Sequence, residues 1–213
     1  MIFKQLLTVL AVVAAGVGSA VGAEPFQIAG KVATIKDVGL GPATEACAEI
    51  EESTFGFGSG STFLPTHIMN VCRIGREPDR VIVYYNSDRS EVVRVLRYLY
   101  VDSKSTEISS ILASAEEFYG APEQADTQRN RVMNYGDAYH LVRDGRRVVA
   151  REREAGTGLL IQGENCAVIS CPKGYTVRIM FDLVDQAAYA AEKAAGGQRL
   201  KDEKKAAGAK VQF

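Results

Sequence analysis

The chain has 213 residues, with 25 Lys and Arg, 26 Asp and Glu, and 2 His, and a formal net charge of −1 at pH 7. A chain of this length can bury the core of one domain or of two small ones. The balanced charge provides no overall positive field, so nucleic acid is not an expected partner. No predicted helix places two metal ligands one turn apart with a third nearby, and we expect no metal and no other cofactor.

The N-terminus has the pattern of a cleavable export signal. Lys4 provides a positive charge, residues 6–17 are largely apolar, and Val21-Gly22-Ala23 fits a small-residue cleavage site, with Ala20 as a second candidate. Residues 1–23 are therefore predicted to be a signal peptide, which places the protein in the periplasm or outside the cell. No later apolar run is long enough for a membrane-spanning helix, so the chain is not expected to span a membrane after signal removal.

The first half of the mature chain predicts strands at 26–35 and 67–73 and a helix at 42–52. The helix is indicated by Pro42 at its first position and by apolar residues at helical spacing. These are Ala43, Ala46, Cys47 and Ile50. The glycine- and serine-rich stretch 55–61 predicts a flexible loop, because neither a nucleophile elbow nor a phosphate-binding loop fits its spacing.

Two strands and a helix are predicted in the middle of the chain. The β-branched and aromatic runs 81–85 and 92–101 are typical of strands. In the second run, Val93, Val95, Leu99 and Val101 are expected on one face, and Val92, Leu96, Tyr98 and Tyr100 on the other. The apolar period then becomes helical over 105–119, with Ser105 as the predicted cap and Gly120 and Pro122 ending the helix.

The helix at 105–119 is predicted to bury one apolar stripe. Its members are Ile108, Ile111, Leu112, Ala115, Phe118 and Tyr119. We expect this stripe to lie on the sheet.

The second half predicts further strands and a last helix. Segments 139–143 and 148–153 flank Asp144-Gly145, which is a strong hairpin signal. Strands are also predicted at 158–161 and 175–184, and a helix at 185–195. Val177, Ile179, Phe181 and Leu183 are expected on one face of the last strand. The lysine-, alanine- and glycine-rich tail, 196–213, is expected to be disordered.

These elements predict an α+β fold in which two main helices pack on an antiparallel sheet and a C-terminal helix follows. Helices 42–52 and 105–119 share the spacing of their apolar positions, and strands follow each of them. The ordered chain, 24–195, is therefore expected to be a single domain with possible tandem units at 26–101 and 102–185.

Two short segments at the ends of the predicted central helix carry a resemblance: Thr106-Glu107-Ile108 and Tyr119-Gly120-Ala121-Pro122. They resemble the helix of small exported proteins in the outer-membrane assembly lipoprotein and β-lactamase-inhibitor superfamily. The resemblance implies helices packed on an antiparallel sheet, sometimes in tandem, and a function in binding other proteins. The chain departs from this superfamily because it lacks the lipid-anchoring cysteine and the usual glycine-methionine start of the helix.

The four cysteines of an exported chain favour two disulfides. Cys166 and Cys171 are close in sequence and are predicted to pair, which leaves Cys47 to pair with Cys72. A four-ligand zinc site is disfavoured by the spacing.

Three sets of polar residues are candidates for a functional site. The predicted hairpin carries several arginines, which predict a surface that binds an anion or a partner: Arg143, Arg146, Arg147 and Arg151, with Arg153 close by. The alternative interpretation is a solvated hairpin face. His140 lies close in sequence to Asp137 and Tyr135, and these residues could form a general base together with the group that orients it. Asp182 and Asp185 are expected to cap the last helix or, less readily, to bind a cation.

No set of residues in the sequence forms a convincing catalytic group. We therefore expect an exported, non-catalytic binding or envelope accessory module with a protein partner in the cell envelope. The alternative is a small periplasmic hydrolase that uses His140 and Asp137.

Overall fold

The computed structural model describes residues 25–43, 47, 49–58, 60–128 and 131–209, so the predicted signal peptide and the last four residues lie outside it. Within these ranges the chain forms thirteen strands and two helices. The strands are β1 Gln27–Ile28, β2 Lys31–Val32, β3 Gly41–Pro42, β4 Glu51–Phe57, β5 Leu64–Arg76, β6 Asp79–Tyr85, β7 Glu91–Val101, β8 Gln124–Asp126, β9 Val132–Gly136, β10 Tyr139–Asp144, β11 Arg147–Glu152, β12 Thr157–Asn165 and β13 Val177–Asp185. The helices are α1 Ile108–Tyr119 and α2 Gln186–Ala209.

One large antiparallel sheet forms the centre of the molecule. Its strand order is β4-β5-β6-β7-β13-β12-β9-β8. The central pair joins β7 to β13, with Val101 opposite Val177 and Arg94 opposite Val184. The short strand β3 also pairs with β7, at Val92, just beyond the end of the β13 ladder. Strands β10 and β11 form a separate two-stranded hairpin.

The sheet has an apolar cluster on each face. The α1 face consists of residues that pack with Ile108, Leu112 and Ala115 of α1, and segment 25–43 also contributes to it. The α2 face consists of residues that pack with Ala188 and Tyr189 of α2. Since both faces are covered, β7 carries apolar residues on both sides, with Arg94 and Arg97 as charged exceptions inside the strand. The predicted sheet-dominated α+β class is confirmed.

A β-bulge changes the predicted faces of β7 at its start. Tyr84 pairs with Arg94, but Tyr85 pairs with Val92, so Val93 is an extra residue in the ladder. Val92 therefore packs on the α1 face and Val93 on the α2 face, the reverse of the prediction. From Val95 onward the two faces follow the predicted alternation.

Two predicted elements near the N-terminus are wrong. Segment 26–35 is not one strand, because Ala29 and Gly30 have positive φ and turn the chain into the β1–β2 hairpin. No helix is formed by the described residues of 42–52, since Gly41–Pro42 is strand β3 and β4 begins at Glu51. The first helix of the proposed tandem units is thus absent from the described chain. The division into units 26–101 and 102–185 stays a prediction.

Helix α1 agrees with the prediction except at its first turn. Gly120, with φ of +90°, donates its N–H to the carbonyl of Glu116 and ends the helix as expected. Ser105 does not cap the helix, because its hydroxyl donates to the carbonyl of Asp102 in the preceding turn. The residue at the N-cap is Glu107, which makes no side-chain capping bond.

The C-terminal helix is longer than the sequence predicts. α2 continues past Ala195 to Ala209, so most of the segment expected to be disordered is helical. Gly196 explains part of the difference, since a Cβ there would lie only 1.9 Å from the carbonyl oxygen of Ile68 on β5. A glycine that weakens an isolated helix here lets α2 approach the sheet closely.

Both predicted disulfides are present. Cys47 pairs with Cys72 across 25 positions, with Cα atoms 6.0 Å apart, and Cys166 pairs with Cys171 across 5 positions, with Cα atoms 5.5 Å apart. The first bond ties Cys47, which precedes β4 in the chain, to the centre of β5.

Replacing both Cys47 and Cys72 with serine is expected to destabilise the protein by about 3 kcal/mol in the chain-entropy model, against about 2 kcal/mol for the matched Cys166→Ser, Cys171→Ser pair. The longer closed loop removes more freedom from the unfolded chain. Urea unfolding of the two variants tests the order. Hydrogen exchange should show residues 42–73 loosened and 105–119 still protected, and equal losses for the two variants would contradict this explanation.

Candidate functional site

A cleft of about 520 Å³ opens between α1 and the sheet, and we call it the α1 cleft. Helix α1, the two central strands and the N-terminal segment contribute its walls. The lining residues are Thr34, Lys36, Asp37, Arg97, Leu99, Ser110, Ile111, Ser114, Ala115, Phe118, Tyr119 and Phe181.

The helix wall of the α1 cleft comes from the edge of the predicted apolar stripe. Ile111, Ala115 and Phe118 recur at helical spacing, so they share one flank of α1. The stripe residues Ile108, Leu112 and Ala115 are buried, whereas Phe118 is 63% exposed. The prediction that Phe118 is a core residue is wrong, because its ring lies at the opening of the cleft, 4.8 Å from the Tyr119 ring centroid to centroid, and stays mostly in solvent. An exposed aromatic ring beside a cleft is typical of a binding surface.

The floor of the α1 cleft comes from the central strand pair. Leu99 on β7 and Phe181 on β13 are on the same face, and Arg97 is the direct cross-strand partner of Phe181. The guanidinium carbon of Arg97 lies 5.1 Å from the centroid of the Phe181 ring. At the far end, the Tyr119 hydroxyl donates a hydrogen bond of 2.7 Å to the carbonyl of Thr34, which joins α1 to the N-terminal segment.

Three of the charged groups around the α1 cleft, Arg97, Lys36 and Asp79, are paired with one another. Arg97 donates two hydrogen bonds to Asp79, of 2.7 and 2.9 Å, and the amine of Lys36 lies 2.8 Å from the same carboxylate. Burial alone would raise the pKa of Asp79, but the hydrogen bonds and positive charges of Arg97 and Lys36 outweigh it and lower this pKa. With Asp37, the two positive and two negative groups cancel, so the cleft offers no net charge for selecting a ligand.

A second cleft, of about 600 Å³, lies on the opposite flank of α1. Glu107, Glu116 and Arg131 are among its lining residues, and its walls are more polar than those of the α1 cleft. It shows no exposed aromatic side chain, which makes the α1 cleft the stronger candidate.

The predicted arginine cluster is divided by the register of the β10–β11 hairpin. Arg143 pairs with Val148 and lies on the side of the hairpin that faces the core, whereas Arg147 and Arg151 lie on the other side. Arg146 is in the two-residue turn with Gly145. All four side chains are exposed, and the hairpin does not bring them together on one surface.

The predicted base–orienter residues are directed to different partners. Asp137 is an ion-pair partner of Arg153 at 3.1 Å, and the Tyr135 hydroxyl donates to the carbonyl of Gly120. His140 is exposed and lies opposite Arg151 in the hairpin. The three side chains therefore make no hydrogen bond to one another, and the hydrolase alternative gains no support from the geometry.

Asp185 and Asp182, predicted as alternative caps, have separate roles. Asp185 caps α2 by accepting the N–H of Ala188 at 2.9 Å, as predicted. Asp182 is not a cap. Its carboxylate, 1% exposed, accepts two hydrogen bonds from Arg94, of 2.8 and 2.6 Å, and one from the Tyr139 hydroxyl.

The Arg94–Asp182 pair was missed by sequence reasoning because its members are on strands far apart in the chain. The guanidinium carbon of Arg94 also lies 4.6 Å from the ring centroid of Tyr189 on α2 and 5.7 Å from that of Tyr84. Burial, followed by the charge of Asp182, raises the pKa of the Tyr139 hydroxyl. A buried ion pair on the α2 face is thus held under α2, away from the α1 cleft.

Comparisons with protein-family models, with curated proteins and with solved structures give no match. The resemblance to the outer-membrane assembly and β-lactamase-inhibitor superfamily therefore stays a prediction. Within the described part of the chain, neither helix has the length and apolarity needed to cross a membrane. In the same residues, no three His, Cys, Asp or Glu side chains are grouped as a metal site requires.

Proposed function

We propose that the protein is an exported, non-catalytic binding module that holds an apolar group of a protein partner in the α1 cleft. The observation that carries this proposal is the apolar floor of the cleft beside the exposed ring of Phe118. Ligand sites are commonly concave, mostly apolar and formed before the ligand arrives.

The polar groups around the α1 cleft support an apolar rather than a charged ligand. Asp79 is bound by Arg97 and Lys36, and the Tyr119 hydroxyl is bound to Thr34, so these groups have partners before any ligand arrives. A ligand that pairs with Asp79, Arg97 or Lys36 would have to replace these bonds, and the net charge of the four surrounding groups is zero. An aliphatic or aromatic side chain would instead gain free energy by covering Leu99, Phe181 and Phe118.

We propose that the predicted signal peptide, 1–23, directs this module to the periplasm or outside the cell. The two disulfides support the same location, because such bonds persist in oxidising compartments. The partner that this location and the apolar cleft imply is an envelope protein with an exposed apolar segment.

The test is binding of the neutral fluorescent probe N-phenyl-1-naphthylamine, followed by its emission. Ser114 is exposed and lines the α1 cleft, so Ser114→Trp should fill the cleft and weaken probe binding about tenfold or more, the equivalent of one lost apolar contact. The control is Glu117→Trp, since Glu117 is an exposed residue of α1 that lines neither cleft.

Probe binding that is the same in both variants, or absent from the unmodified protein, would contradict the proposal. A crosslinked partner from a periplasmic extract should likewise be lost with Ser114→Trp and kept with Glu117→Trp.

A further inference from the structure

The end of the β4–β5 hairpin, of which residues 53–58 and 60–66 are described, is an exposed apolar projection, which we call the hairpin tip. Three of its large apolar side chains face solvent: Phe57 is 74% exposed, Leu64 68% and Phe63 39%. The sequence from 53 to 66 contains no Asp, Glu, Lys or Arg. An uncharged cluster of this kind is unusual on a protein surface that is otherwise rich in charge.

The strand register brings the apolar side chains of the hairpin tip together. Phe57 is the direct partner of Leu64, so both side chains are on one side of the hairpin. Gly56 makes this pairing possible, since a Cβ there would lie 2.1 Å from the carbonyl oxygen of Leu64. Gly58, with φ of +89°, then turns the chain towards the short 3-10 helix Gly60–Thr62.

The base of the hairpin tip is held firmly although its end is exposed. The Thr66 hydroxyl donates to the carbonyl of Phe55 at 3.1 Å, and the Phe55 ring stacks on His67 with centroids 5.4 Å apart. Helix α2 crosses at this point, because Gly197 would place a Cβ 3.4 Å from the Thr66 carbonyl oxygen. The tip is therefore presented by a fixed base at the outermost strands of the sheet.

We propose that the hairpin tip inserts into the interfacial region of a lipid bilayer and docks the protein on a membrane surface. A projection cannot enclose a small ligand, and it has no charged side chain with which to form the polar rim of a specific protein interface. Aromatic and aliphatic side chains set among glycine and hydroxyl residues suit the boundary between acyl chains and headgroups. Three large side chains give a shallow and reversible attachment.

This mode of docking should depend little on ionic strength. The predicted mature chain has a net charge of −2, because Lys4 is the only charged residue of the first 23. Since the tip itself is uncharged, salt has no attraction to screen there.

The first experiment is flotation of the full mature protein with phosphatidylcholine vesicles at low and high salt. Phe57→Ser and Leu64→Ser should each lower the partition coefficient about tenfold, because each removes a large buried apolar side chain from the lipid-bound state. The matched control is Val168→Ser, which removes a 77% exposed apolar side chain from the loop closed by Cys166 and Cys171. All three positions are exposed, so the variants should keep the circular dichroism spectrum of the unmodified protein.

The second experiment uses the absence of tryptophan from the chain. In Leu64→Trp the single indole should shift its emission to shorter wavelength on adding vesicles and be quenched by brominated lipid. The indole of Val168→Trp should show neither change.

The proposal would be overturned if the unmodified protein did not float with the vesicles, or if flotation were equal in the tip variants and the Val168→Ser control. Concentration-dependent dimerisation that is lost in Leu64→Ser, without vesicle binding, would also overturn it and would assign the tip to contact between copies of the chain.

Discussion

Replacement of Arg94 with methionine is expected to destabilise the protein by about 3–5 kcal/mol, since it leaves the Asp182 carboxylate buried without its charged partner. That carboxylate is 1% exposed and would retain only the Tyr139 hydroxyl as a hydrogen-bond donor. The loss of the guanidinium between Tyr84 and Tyr189 adds to the cost. Urea unfolding measures the effect.

The chain contains a matched control for this substitution. Arg97, also on β7, makes the same two-bond contact with Asp79 on the opposite face of the sheet, but Asp79 is 25% exposed and also bound by Lys36. Arg97→Met should therefore cost about 1 kcal/mol, in the range of partly solvated pairs. Adding Asp182→Asn to Arg94→Met should recover part of the loss, and equal effects for the two arginines would contradict the role of burial.

Leu112→Asp is expected to destabilise the protein by about 4 kcal/mol, because it places a carboxyl group at the centre of the buried α1 stripe. Leu112 is 3% exposed and packs among apolar side chains in the core of the α1 face. For a chain of this size, the melting temperature should fall by roughly 10 °C. Differential scanning calorimetry is the direct measurement.

Ala113→Asp is the control for Leu112→Asp. Ala113 is the next residue of α1 and is exposed, so a carboxylate there stays in water. Its effect should be below about 1 kcal/mol. A melting temperature that is unchanged in Leu112→Asp would show that the α1 stripe does not bury its centre.

The elements that the sequence predicts well are those whose apolar period is long and whose ends carry strong local signals. α1 is an example, with three buried positions and a glycine that ends it. The alternation of Val177, Ile179, Phe181 and Leu183 on β13 is another, since all four lie in the core of the α1 face. In both cases local pattern and tertiary packing favour the same structure.

The failures occur where pairing with distant residues decides the structure. The alanine-rich segment 42–52 has helical spacing, but pairing of β3 with β7 and of β4 with β5 determines the strands at its two ends. The bulge at Val93 reversed two side chains that strict alternation assigns to the opposite faces. No local signal near Gly196 reveals that α2 is held against β5.

The candidate site was predicted less well than the fold. The arginines of the hairpin are a cluster in sequence only, because a strand separates alternate residues onto two sides. The α1 cleft combines residues from four parts of the chain, and the helical spacing of Phe118 alone predicts a core position for it. The apolar stripe of α1, which continues to Phe118 beyond the residues that become buried, is the signal that the sequence offers. The uncharged run 53–66 was visible in the sequence, but its exposure was not.

The pairing of β7 with β13 at the centre of the sheet has a consequence for the order of assembly. Strands β4, β5, β6 and β7 follow one another along the chain and form their ladders over short loops, whereas β13 is the last strand to be made. When the chain has been synthesised as far as α1, the side of β7 that later binds β13 is an open edge, and Arg94 has no carboxylate beside it. The half-made protein thus carries at its centre the type of unpaired edge that attracts other chains. That interval is the time at which the chain most needs a chaperone.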